Sequence, residues 1–175
     1  HSLVISLLTA YELRLVGLSN PTRRSAYLLF LILTPFQCLA EEAFVRGYLY
    51  QGVAAFTASN ILRIGVPAAV FMAMHSANGN FLEGGIWVLL IYFTFGAYFG
   101  LLTVKTAGVE VAAGAHTANN IFAFAISTSA GAGVPFATIF YELETDYMAG
   151  FVMILLVAAL HYLLFFRLFR NRIFS

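Results

Sequence analysis

From Ile86 to Val104 the chain carries no charged side chain. That run matches the roughly 20 apolar residues a helix needs to cross a bilayer. A stretch of this kind leaves few folds open, and it is repeated. The hydropathy pattern predicts a first span over Ala26 to Tyr50, with Pro35 inside it as a kink, and a second beginning at Pro67 and reaching about Ala77. Ile86 to Val104 is then the third span, Val109 to Ser127 the fourth and Ala149 to Phe166 the fifth. Leu3 to Leu18 is apolar but short and carries Glu12 and Arg14, so it reads as the end of a span or an interfacial helix. Breaks are expected at Ser19-Asn20-Pro21, over Thr57 to Gly65, at Asn78-Gly79-Asn80 with Gly84-Gly85, and through the polar loop Gly131 to Asp146. The expected fold class is all-α: a polytopic transmembrane helix bundle of about five or six membrane helices, enclosing a polar intramembrane cavity.

Composition closes off the soluble alternative. Hydrophobic residues make up 61% of the chain and charged ones 10%, against roughly 25% charged in an ordinary soluble domain. Too few ionised groups are available to cover a water-exposed surface. A net charge of +1 does not suit nucleic acid as a partner. One cysteine, Cys38, excludes an internal disulfide and a Cys-rich metal site. Residues 1–175 read as a single membrane domain. A start at His1, without Met or a signal-peptide pattern, is what a fragment of a longer protein would show.

Short-loop charges set the expected orientation. Arg63, Lys105, Arg167, Arg170 and Arg172 fall on one side of these spans, and Arg14, Arg23 and Arg24 on the other. The larger group belongs in the cytoplasm. The C-terminus is therefore expected inside.

Ionisable groups at membrane depth are costly and mark functional sites. Setting loop and terminal charges aside leaves Glu41, Glu42, Arg46, His75 and His116, with Asn119 and Asn120 beside them. Glu42 and Arg46 are four apart and share a helix face, as do Phe71 with His75 and His116 with Asn120. Glu41 is turned about 100° from Glu42 and points elsewhere. At 1.5 Å per residue, His75 is expected roughly 12 Å inside the helix starting at Pro67, His116 roughly 10 Å inside that starting at Val109, and Glu41 roughly 15 Å from an end near Gly52. Three helices thus deliver polar groups to one level, reached from the cytoplasmic side.

Two carboxylates, two imidazoles and a carboxamide suit hydrolysis by activated water. A carboxylate beside an imidazole serves as general base, and a second imidazole with a carboxamide stabilises a developing oxyanion. Glu, His and His also form a plausible zinc ligand set, although H-E-x-x-H is absent. Covalent chemistry is disfavoured: nothing activates Cys38, and no serine lies in a G-x-S-x-G turn.

Three motifs carry a resemblance. Glu41-Glu42-Ala43-Phe44-Val45-Arg46 is EExxxR, Phe71-Met72-Ala73-Met74-His75 is FxxxH, and His116-Thr117-Ala118-Asn119-Asn120 is HxxxN. In this order they resemble the CPBP family of CAAX prenyl protease and bacteriocin-processing membrane proteins, also called the ABI family, and bacterial members especially. The resemblance covers about residues 26–127. It implies a helical membrane fold whose polar cavity opens to the cytosol, and metal-independent proteolysis with no cofactor. It also implies that Glu41 is the catalytic carboxylate and His75 its partner in activating water. His116 and Asn120 would bind the scissile carbonyl or its oxyanion, and Glu42, Arg46 and Phe71 would support the site. The implied substrate is a membrane-associated protein or peptide. The implied location is the bacterial plasma membrane.

Other functions use the same residues. Polar groups hold membrane helices together, the reading preferred for Glu42 and Arg46. Some relatives act as immunity or scaffold proteins by binding alone. A proton or solute path would also employ buried carboxylates and histidines, but no internal repeat supports one. Asn119 reads as a packing amide, His161 as an interfacial polar tip, and Gly96 with Gly100 as a close-packing pair on the third span.

Overall fold

The structure, a computed structural model, describes residues 13–15, 21–77, 80–129, 140–142 and 146–173. Helix α1 (Pro21–Glu42) opens on a proline, which suits the first turn of a helix. It passes without a break through a π-helical stretch, Ala43–Leu49, into α2 (Tyr50–Phe56). Pro35 lies inside α1 and lacks the N–H that would reach back one turn. One residue earlier the Thr34 hydroxyl donates to the Phe30 carbonyl at 2.7 Å, which satisfies that buried polar side chain within its own helix.

Helix α3 (Asn60–Met74) begins seven residues before the expected Pro67 and ends before the expected Ala77. Of the expected connector Thr57 to Gly65, only residues 57–59 link the two helices, and Asn60 to Gly65 belongs to α3. The physical reason is Arg63. Its Nε donates to the Thr57 carbonyl at 2.7 Å and its Nη2 to the Ala54 carbonyl at 3.4 Å. These acceptors belong to the end of α2, where carbonyls lack helical partners and cations are favoured. The charge that looked like loop solvation is a helix cap, and it lets α3 start at once.

A short α4 (Asn80–Gly84) leads to Gly85, whose φ of 51° is a left-handed conformation that suits glycine. Then come α5 (Ile86–Thr106), α6 (Glu110–Asn120) with a second π-helical stretch over Ile121–Ile126, and α7 (Tyr147–Ile173). Three-residue strands β1 (Leu13–Leu15), β2 (Ser127–Ser129) and β3 (Phe140–Glu142) form a small sheet in the order β1-β3-β2, antiparallel then parallel. Of the stretch Leu3 to Leu18, only Leu13–Leu15 is described, and there the expected helix is replaced by an edge strand. Within the expected loop Gly131 to Asp146, residues 131–139 and 143–145 lie outside the described residues, as do Asn78 and Gly79.

The architecture is the expected all-α bundle. Among the described residues, three helices rather than five or six are long and apolar enough to cross a membrane: Arg24–Phe56, Ile86–Thr106 and Tyr147–Arg167. Helix α3 is apolar but only 15 residues long, about 22 Å against a hydrocarbon core of about 30 Å. Leu29, Ile32, Leu33 and Phe36 of α1 and Leu156, Val157, Leu160 and Leu163 of α7 are exposed. Such a surface suits acyl chains rather than water.

Helix α5 is the hub, packed against α3, α6 and α7, while α1 packs on α6. Phe99, Leu102 and Ala112 form a buried cluster with Phe95, Tyr98, Val111, Ala115 and Phe166 against it. His161 Nδ1 meets the Tyr98 hydroxyl and ties α7 to α5. The glycine pair on α5 packs closely as its spacing predicts. A Cβ on Gly96 would lie 2.8 Å from the Ala68 Cα, and one on Gly100 3.2 Å from Cγ2 of Ile64. The first obstacle is backbone and cannot yield; the second is the end of a side chain. Gly96→Ala is therefore expected to destabilise the bundle by about 1–3 kcal/mol and Gly100→Ala by far less. Thermal unfolding in detergent measures both, and equal losses would contradict this packing.

Candidate active site

The last turn of α1 presents Glu41 and Glu42 in succession, and the helix turns them in different directions. Glu42 points into the bundle and is fully buried. Its Oε1 accepts from Arg46 Nη1 at 3.0 Å, the pairing expected from their spacing of four. The same oxygen accepts from His116 Nδ1 at 2.9 Å. Arg46, 1% exposed, reaches onward from its π-helical turn and donates from Nη2 to the Gly96 carbonyl at 2.7 Å. One buried guanidinium and one buried carboxylate thereby join α1, α5 and α6. The guanidinium also lies 5.1 Å from the Phe71 ring centre and 5.6 Å from that of Phe99, within the range of cation–π attraction.

Glu41 leaves the helix about 100° round from Glu42 and approaches the same imidazole from its other nitrogen. Its side chain is 21% exposed. Oε1 accepts from Gln37 Nε2 at 2.9 Å, and Oε2 lies 3.8 Å from His116 Nε2. His116 therefore stands between the two carboxylates, Glu42 on one ring nitrogen and Glu41 near the other. A carboxylate only accepts, so the Nδ1 facing Glu42 carries the hydrogen. In the neutral ring Nε2 is then an acceptor aimed toward Glu41. The ring is clamped between aromatics, stacked on Phe99 at 4.9 Å and edge-on to Phe71 at 5.7 Å.

His75 arrives by a different route from the one its spacing suggested. It is the C-cap of α3, about 22 Å along a helix that starts at Asn60, instead of roughly 12 Å into one that starts at Pro67 and continues to about Ala77. Its Nδ1 bonds the Phe71 carbonyl at 2.8 Å, which fixes the hydrogen there and leaves Nε2 as acceptor. Its ring packs on Phe71 at 4.5 Å and stacks on Tyr92 at 4.3 Å. Phe71, 2% exposed, is the shared wall between His75 and His116. The level shared by the three motifs is thus reached through Phe71 rather than through matched helix depths.

Asn120 donates from Nδ2 to the buried Cys38 Sγ at 3.4 Å, and its Oδ1 accepts from Asn119 at 3.3 Å. Asn119, expected as a packing amide, bonds its neighbour on the same helix. Sequence reading missed Gln37, Tyr92 and Phe99. Gln37 had a signal, since it lies one turn before Glu41 on the same face. Tyr92 and Phe99 had none, because their roles depend on how α5 docks.

Three buried polar atoms, Glu41 Oε2, Glu42 Oε2 and Arg46 Nε, meet no hydrogen-bond partner among the described residues. Among the same residues no three His, Cys, Asp or Glu side chains are grouped so as to hold a metal ion.

Removing one member of a buried ion pair strands the other, at a cost of about 3–5 kcal/mol. Arg46→Met is expected to destabilise the protein by that amount. The Glu42→Gln/Arg46→Met double variant should recover part of the loss, because no buried charge is left unpaired. Detergent-solubilised thermal unfolding measures both, and a double variant less stable than Arg46→Met would refute the pairing argument.

The profile of the family described as Type II CAAX prenyl endopeptidase Rce1-like matches residues 23–122, more than half of the chain and all three motifs. The protein named Uncharacterized protein YyaK, from Bacillus subtilis (strain 168), is 38% identical over 92 residues. That alignment covers 53% of this chain and 31% of the relative, so the chain spans about a third of that relative's length. No solved structure matches. Apolar membrane-length helices, the three motifs in order and the match over 23–122 lead to one conclusion: this chain belongs to the Rce1-like family of CAAX-type membrane peptidases.

Proposed function

We propose that the protein is an intramembrane endopeptidase that hydrolyses a membrane-associated protein or peptide with water activated by Glu41. One observation carries the reading. Glu41 Oε2, buried and without a donor among the described residues, faces His116 Nε2 across 3.8 Å. With the His116 ring neutral, two acceptors at that spacing do not bond each other; a water about 2.8 Å from each would donate one hydrogen to Glu41 and the other to His116. A lone pair on the water oxygen is then free to attack a carbonyl carbon. Glu41 takes the proton as general base and returns it to the departing amine.

The family resemblance gives His75 to the water and His116 to the oxyanion. The contact between Glu41 and His116 supports His116 as the imidazole beside the water. His75 is then left, with Asn120, for the carbonyl oxygen and the leaving amine. Asn120 Nδ2 carries two hydrogens, and its bond to Cys38 uses one. Glu42, Arg46 and Phe71 hold the ring of His116 in place.

The reading extends to the whole chain as one membrane domain, with the motif-bearing core over residues 26–127. The site would open toward the cytoplasm from a cavity in the bacterial plasma membrane. No cofactor is required by it.

Membrane proteomes of cells carrying the wild type or Glu41→Ala, at matched expression, provide the test. Fragments with new C-termini are expected with the wild type alone. Loss of a general base lowers the rate by about 10²–10⁴-fold, so cleavage of an identified substrate by Glu41→Gln should fall within that range and wild-type cleavage should survive EDTA. Identical proteomes, with the Glu41→Ala protein still supporting the cellular phenotype, would replace the enzyme with a binding or scaffold protein. Loss of cleavage on chelation, restored by zinc, would establish the metal reading instead.

A further inference from the structure

We infer that Gln37 is the positioning residue of the Glu41 carboxylate, an inference that rests on the role proposed above for Glu41. Between Leu28 and Ala40 the chain offers two polar side chains, Thr34 and Gln37. Thr34 is buried and spends its hydroxyl on its own helix. Gln37 is exposed, on a helix whose other exposed residues nearby include Leu33, Phe36 and Leu39. An amide among acyl chains loses its hydration with nothing in return. Its Nε2 finds a partner in Glu41 Oε1 at 2.9 Å, one helical turn away.

The geometry makes this bond decisive for the carboxylate. Glu41 is partly exposed, and the terminal torsion of a glutamate is broad and roughly two-fold. Among the described residues, the bond from Gln37 is the one hydrogen bond that the carboxylate accepts, since Oε2 meets no donor. Pinning Oε1 turns Oε2 inward to its place 3.8 Å from His116 Nε2. The other charged or titratable groups around this carboxylate are Glu42 and Arg46 on the same continuous helix, paired with each other, and His116 on α6. None of them donates a hydrogen bond to Glu41. Without Gln37 the carboxylate plane would be free to rotate, and Oε2 would be aimed at the water for only part of the time.

The test uses the full chain in detergent and three variants. Gln37→Met keeps the length and removes the donor, Gln37→Glu keeps the shape and places an acceptor against Oε1, and Glu41→Gln marks the carboxylate. On a substrate identified by the proteome comparison, both Gln37 variants are expected to lower kcat about tenfold or more. KM should stay within about twofold and the thermal midpoint should not move, as befits an exposed side chain that shapes the reactive geometry. Infrared difference spectra against Glu41→Gln, taken in the wild-type and Gln37→Met backgrounds, isolate the Glu41 carboxylate bands. Its antisymmetric stretch should move to higher frequency when the donor is removed, whether or not a substrate is cleaved. A kcat for Gln37→Met within twofold of the wild type, or an unshifted band, would overturn the assignment. So would a loss of activity matched by a lowered thermal midpoint. Absence of cleavage by the wild type itself would instead remove the enzymatic reading, while the band still decides whether Gln37 holds the carboxylate.

Discussion

The structure depends on a guanidinium where few proteins place one. Arg46 is almost wholly buried in a bundle whose surroundings are apolar, and an isolated charge there would cost several kcal/mol. It persists because every stable arrangement of its neighbours serves it. Glu42 supplies the counter-charge from one turn away, the Gly96 carbonyl accepts a second hydrogen bond, and Phe71 and Phe99 lay their rings near it. The Gly96 carbonyl is reachable because α5 has no side chain at that point and lies against Ala68 of α3. Close helix packing and charge compensation are therefore one arrangement. The pair also has a chemical consequence, for the oxygen that accepts from Arg46 accepts from His116 and so sets which ring nitrogen carries the hydrogen.

A second constraint is the backbone itself. Directly after Glu42, and again directly after Asn120, the chain leaves the α-helical register for a π-helical one. Such stretches have poorer packing along the axis and recur at functional sites. Here each begins where a motif delivers its polar side chains. Arg46 sits within the first, which takes it from the α1 register toward Gly96. The second follows the helix that carries His116 and Asn120. Side-chain spacing gives no warning of either.

What could be read in advance is what local periodicity controls. The pairing of Glu42 with Arg46, the divergence of Glu41, and the close approach of Gly96 are consequences of helical spacing, and each is found. Position along the chain misled where an end was decided by distant or unusual partners. Pro67 looked like a helix start, yet Arg63 caps α2 and lets α3 begin at Asn60. The same helix stops at Met74, which makes His75 its cap instead of an interior residue. Leu13–Leu15, apolar enough for a helix, pairs with Phe140–Glu142 more than a hundred residues away. The contact between Glu42 and His116 joins residues 74 apart and follows only from the docking of α6 on α1.

Adjacent glutamates in one motif need not be redundant, and the contrast in burial shows why. Glu42 is closed off from the surroundings and accepts two donors on one oxygen, an arrangement that would be lost if it moved or took up a proton. Glu41 is 21% exposed and, among the described residues, accepts one hydrogen bond and keeps an oxygen without a donor. A reactive carboxylate must change its proton occupancy and admit water; a structural one must do neither. A helix turn of about 100° between consecutive residues is enough to separate these requirements. The buried acid fixes His116, and His116 in turn presents its second nitrogen toward the acid that remains accessible. On the proposed function, reactivity at Glu41 would be conferred by groups that are themselves held still, so the least accessible part of the site would define the chemistry of its accessible edge.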